Sequence, residues 1–148
     1  MRQGSGMALA EIARIRRLQC DAAEMAAGQA ACELRKLQAG REPLKNAVSE
    51  AAQGYLQSLA SSQFNPFVRD GWRMLISNRT DELIEHEGKI ELASYEASEA
   101  ETEWNCASGR RELADALDRQ TRRRLSRLED ELRIADHADQ LLARRLTR

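Results

Sequence analysis

The sequence predicts an all-α fold: two long helices forming an antiparallel coiled-coil hairpin, the second helix longer and projecting past the first. Three observations carry that expectation. Aromatic residues make up 4% of the 148 and charged residues 32%, a balance that suits narrow apolar seams between long helices better than a thick globular core. Apolar residues recur every seven positions through much of the second half. The stretch SSQFNPF at 61–67 is the one segment with the chemistry of a turn. Nothing reads as a strand, because runs of β-branched residues alternating with polar ones are missing. No apolar stretch approaches the ~20 residues needed to span a bilayer, and the start, MRQGSGMALAEIARIRR, has neither the apolar core nor the cleavage pattern of a signal peptide. A cytoplasmic chain without membrane insertion is expected.

The first helix is expected over about 7–61, with residues 1–6 read as a disordered leader or cloning remnant and Met7 as the native start. Leu34, Leu37, Arg41, Leu44, Val48, Ala51 and Tyr55 recur at steps of three and four, with Leu59 after them, and form a seam. Ile12, Ile15, Leu18, Ala22, Met25 and Cys32 extend it less cleanly towards the start. Gly40 and Pro43 interrupt the propensity, since proline lacks a backbone donor and clashes with the preceding turn. The apolar face nevertheless keeps phase through Pro43, which favours a kinked, continuous helix over a break with a new start at Pro43.

The tip falls at about 62–70. Asn65 is a good N-cap and Pro66 suits the first helical position, so the second helix begins near 66 and runs to about 146. Phe64 and Phe67 stand where the two seams end, positioned either to close the core or to meet a partner; closure is the favoured reading.

Steps of seven from Ile76 give Leu83, Ile90, Ala97 and Trp104, and steps of seven from Arg79 give His86, Ala93, Ala100, Ala107 and Ala114. These are the a and d rows of a coiled coil. The first row then meets Arg111 and Asp118 before resuming at Leu125 and Leu132, while Leu113 and Leu117 carry apolar character in a shifted register. A local phase change at 111–121 is expected.

A reversal near residue 65 sets opposite each other residues whose numbers sum to about 130. Segment 81–103 carries nine acidic residues against Lys89 alone; its expected neighbour, 27–49, carries Arg35, Lys36, Arg41 and Lys45 against Glu33 and Glu42, so the signs complement. The same pairing leaves the last part of helix 2, from about residue 124, without a partner. That overhang bears Leu125, Leu128, Leu132, Ala135, Leu142 and Leu146, flanked by Arg122, Arg123, Arg124, Arg127, Arg144, Arg145 and Arg148. A lone helix with an apolar stripe wants a partner: another protein, or a second copy of the chain. Nucleic acid fits less well, because Asp and Glu interrupt the basic cluster and stacking aromatics are absent.

Catalytic chemistry finds no support. Cys20, Cys32 and Cys106 follow no CxxC spacing and read as small apolar residues at helix seams. His86 and His137 stand alone, with no pattern for metal binding or nucleophile activation, and no Gly-rich phosphate loop occurs. No enzyme, no cofactor and no metal site are expected. Asn78-Arg79-Thr80 matches the glycosylation pattern but falls inside an expected helix and should be silent.

The opening IARIRRLQCDAAEMAAGQAACELRKLQ resembles the first helix of the stalk proteins of bacterial type III secretion, the FliJ and YscO/HrpO family, in which an aliphatic and Arg/Lys-rich start precedes Ala-Glu-rich heptads. The position of the turn and the stretch GWRMLISNRTDELIEHEGKIEL are similar too. The resemblance implies a non-enzymatic hairpin like part of a rotary ATPase γ subunit, peripheral to the inner-membrane secretion apparatus. It implies as partners the export ATPase hexamer, an export gate protein and secretion chaperones. On this reading the ATPase-facing end comprises Arg14, Arg16, Arg17, Arg124, Leu125, Arg127, Leu128, Leu132, Leu142, Arg144 and Arg145. Export gate or chaperone contacts fall to Phe64, Phe67, Trp72, Leu75, Arg79 and His86, with neighbouring Ile76 a seam residue by heptad count. A free-standing dimeric coiled-coil adaptor or chaperone is the alternative.

Overall fold

The structure, a computed structural model, describes residues 3–61, 63 and 65–146, with side chains for 7–61, 63 and 65–143. Among the described residues there are two helices, α1 (Gln3–Ala60) and α2 (Pro66–Leu146), and no strand. The helices pack on each other as an antiparallel all-α hairpin. Gln3 already belongs to α1, so four of the six residues read as a leader are helical.

Asn65 and Pro66 build the start of α2 as their chemistry demands. The Asn65 side-chain oxygen accepts the Phe67 amide at 3.0 Å, and its carbonyl accepts the Arg69 amide at 3.2 Å. Pro66, which has no N–H to leave orphaned, takes the first helical position. Phe67 is 87% exposed, so it does not close the core; Phe64 lies outside the described residues. Replacing Phe67 with Ala should therefore leave the melting temperature within the equivalent of about 0.5 kcal/mol of wild type, as a thermal melt would register.

The hairpin divides into two compact units. In the unit formed by residues 24–103, the rows of α2 covered by α1 are Ile76, Leu83, Ile90 and Ala97 with Arg79, His86, Ala93 and Ala100. From α1 they receive Ala27, Leu34 and Val48 with Ala30, Leu37, Leu44 and Ala51. Two glycines of α1 meet side chains of α2 closely, and the approach at Gly54 depends on the missing Cβ. A Cβ on Gly54 would lie 2.5 Å from the Trp72 indole, and one on Gly40 would lie 3.1 Å from the His86 imidazole. The His86 ring sits over α1 and donates from Nε2 to the Leu37 carbonyl at 2.7 Å; a carbonyl only accepts, so Nε2 carries the proton. Helix α1 passes through Pro43 without a break, as its continuous apolar face suggested. Of the complementary charges, Arg41 and Glu87 pair between the helices, at 2.8 Å. Lys36–Glu33, Lys45–Glu42 and Lys89–Glu85 form within one helix instead, and Arg35 donates to its own helix at the Ala31 carbonyl.

In the unit formed by residues 1–23 and 104–148, the steps of seven continue through Trp104, Arg111, Asp118 and Leu125, and through Ala107, Ala114 and Thr121. All are buried or half-buried, Asp118 at 6% exposure, while Leu113 is 64% and Leu117 44% exposed. The expected phase change at 111–121 is thus absent: the two charged residues hold the seam and the two leucines stand off it. Ala13, Arg16, Cys20 and Ala23 supply the α1 side. The larger Ile12, Ile15 and Leu18 are exposed, as are Ala22, Met25 and Cys32, so the seam near the start of α1 is mostly one of small residues, with half-buried Arg16 among them, and is shifted from the expected face. Cys20 is a seam residue as expected; Cys32 and Cys106 are exposed and are not.

Candidate partner-binding surfaces

Pairing between the helices decides where free surface remains. Arg17 and Asp115, whose numbers sum to 132, meet where the sum rule for a turn near 65 places them. Arg17 Nε and Nη2 both donate to Asp115 Oδ1, at 3.0 and 2.8 Å. The hydrogen bond to Asp115 and then its charge raise the Arg17 pKa above its ordinary value, with a smaller pull from Asp118. Arg122 pairs with Asp118 at 3.0 Å. At Ala13 helix α1 is therefore near its start, and every residue of α2 from Ser126 to Ala143 is exposed.

The overhang brings together Arg124, half-buried Leu125, Arg127, Leu128, Leu132 and Leu142 on one bare helix, the three later leucines 43%, 65% and 58% exposed. Side chains of Arg144 and Arg145, like that of Leu146, and the whole of Arg148 lie outside the described residues. Ile134 and Leu141 lie off the expected row and are exposed too. With Arg133, His137 and Ala138 they line a shallow concavity on another side of the same helix, and their spacing around Ala138, four and three residues, is the signal that reveals them.

The α1 arginines assigned to the same end have local partners. Arg16 is half-buried and donates to Gln19 at 2.8 Å, Arg17 is held by Asp115, and Arg14 is exposed with Glu11 at 3.9 Å. Among the residues assigned to an export gate, Trp72 and His86 are turned into the helix seam, where their close fits to Gly54 and Gly40 give them a packing role. Arg79 is half-buried and bonded to Glu82 at 2.8 Å. Leu75 is 36% exposed and Phe67 almost fully so, which makes Phe67 the one of this group's described residues that projects freely.

One flank of the unit formed by residues 1–23 and 104–148 carries an apolar groove that the heptad rows do not predict. Ile12 and Leu9 from α1 and Leu113 and Leu117 from α2 line a groove with Arg16 and Arg110. The opposite flank of the same seam is closed by the Arg17–Asp115 pair.

Among the described residues no cluster of His, Cys, Asp and Glu is arranged to hold a metal, and no helix is long and apolar enough to cross a membrane. Compared with known proteins, the chain is matched by no family model, no curated protein and no solved structure.

Proposed function

We propose that this chain is a non-enzymatic coiled-coil stalk of a bacterial type III secretion export apparatus, coupling the hexameric export ATPase to the export gate and escorting secretion chaperones. The observation that carries the reading is the overhang. Its rows at Leu128, Leu132 and Leu142 keep the phase of the seam that α1 covers, yet all three side chains are exposed. A helix with an in-phase apolar row and a basic flank is built to be covered by something else. The resemblance to the FliJ and YscO/HrpO family supplies the partner, the centre of an ATPase ring, and makes the site non-catalytic.

Deleting residues 125–148 should abolish co-sedimentation with the export ATPase of the same secretion system while leaving hairpin stability nearly unchanged, since the deleted stretch is uncovered by α1 beyond half-buried Leu125. Retained binding would exclude the overhang as the ATPase contact. The same exposed leucines also suit a dimeric adaptor in which two overhangs pair with each other. That alternative predicts a tight dimer lost on the same deletion, whereas the stalk predicts an oligomeric state the deletion does not alter.

A further inference from the structure

Two surfaces outside the overhang remain without a task, and they complement each other. The first is the groove of Leu9, Ile12, Leu113 and Leu117 with Arg16 and Arg110. Along this flank the groove's charges are Arg16 and Arg110, and α2 adds Leu113, Leu117 and Gln120 with no carboxylate between them. Arg110 has no ion pair among the described residues. The second surface lies on α2 in the unit formed by residues 24–103. Ile84, Gly88, Leu92 and Tyr95 follow one another at steps of four, four and three, which sets them on one face. That face is bare: Ile84 and Leu92 are each 61% exposed and Tyr95 67%. Asp81, Glu91 and Glu99 surround it, all exposed. Gly88, with nothing within 4 Å of where a Cβ would point, lets another backbone come close.

We infer that copies of this chain associate by seating the acidic Ile84–Tyr95 stripe of one copy in the arginine-edged groove of another. Charge selects this pairing over the symmetrical ones: groove on groove sets arginine against arginine, and stripe on stripe sets carboxylate against carboxylate, whereas groove on stripe matches opposite signs over apolar centres. Such a contact joins unlike surfaces, so each copy keeps one unused groove or stripe unless a ring closes. It makes no use of the overhang and does not depend on the stalk reading.

Sedimentation velocity of the full chain over a range of concentrations tests the inference. At low ionic strength the weight-average mass should climb above the monomer's 16.7 kDa as concentration rises. Raising salt from about 50 to about 500 mM should weaken association roughly tenfold, as screening removes the charge match. The double substitution Leu113→Glu/Leu117→Glu and, independently, Tyr95→Lys should hold the chain at the monomer mass. Both should melt cooperatively as folded helices, because the altered side chains point to solvent. Deletion of residues 125–148 should leave association in place. A wild-type chain that stays monomeric up to about 100 µM, or an association indifferent to both sets of substitutions, would overturn the proposal.

Discussion

Gly54→Ala is expected to destabilise the hairpin by about 1–3 kcal/mol, although the same change in an open helix position stabilises by about 0.5–1 kcal/mol. The cause is the Trp72 indole, half-buried and laid against α1 so closely that an added Cβ would stand 2.5, 2.7 and 2.8 Å from three of its ring carbons. A rigid bicyclic ring cannot yield by rotating a flexible end, so either the indole leaves the seam or the helices separate locally. Gly109→Ala is the control. Nothing lies within 4 Å of its added Cβ, and it should raise stability by about 0.5–1 kcal/mol. Opposite signs from one chemical change, read by urea or thermal melts, would establish the close approach; a Gly54→Ala protein as stable as wild type would contradict it. Introducing Gly54→Ala beside Trp72→Leu should cost far less than introducing it alone, because the two sites are coupled through contact.

Asp118→Leu is expected to leave stability unchanged or raise it by up to about 3 kcal/mol, as replacing a buried charge by an apolar residue of suitable size often does when no buried partner is left unpaired. Asp118 occupies an a position of α2 at 6% exposure, with Arg122 as its ion-pair partner. Arg122 is 70% exposed, so losing the carboxylate strands no buried charge, and Arg17 keeps its bonds to Asp115. The gain should carry a cost in specificity. Ala13, Ala23, Ala107 and Ala114 discriminate poorly between registers, and a lone buried charge in a seam of small residues is a device for fixing one. A lower melting temperature for Asp118→Leu would mean that the seam at this layer is too tight for a leucine.

The contrast between legible and illegible parts of the chain has a physical basis. The α2 rows from Ile76 to Ala114 and the Asn65-Pro66 start are where the sequence places them, because bulky aliphatics at strict sevens and an N-cap before proline are strong local signals. The pairing arithmetic held as well, with Arg17–Asp115 and Arg41–Glu87 both close to the expected sum. Near the start of α1 the largest side chains mislead. Ile12, Ile15, Leu18 and Met25 dominate any reading by hydrophobicity, yet the row turned to the seam is buried Ala13 and Cys20 with half-buried Ala27, whose small apolar areas give a weak periodic signal. Arg111 and Asp118 look like a break for the complementary reason: a charge at a seam position reads as a change of phase, but an alanine-lined seam leaves room for it and the register runs on. At the candidate surfaces, the overhang was visible from helix lengths alone. The retreat of Trp72 and His86 into the seam was not, because it depends on which glycines of α1 face them.

The stalk reading stands on the overhang being a bare, in-phase seam that a partner covers. The most direct measurement is the ATP hydrolysis rate of the purified export ATPase with full-length protein and with Leu128→Glu/Leu132→Glu/Leu142→Glu, all three side chains being exposed and outside the hairpin packing. The stalk reading predicts stimulation by the wild type and none by the triple variant, with the hairpin's melting temperature the same in both. Undiminished stimulation by the triple variant, or no effect of the wild type on the ATPase, would contradict it.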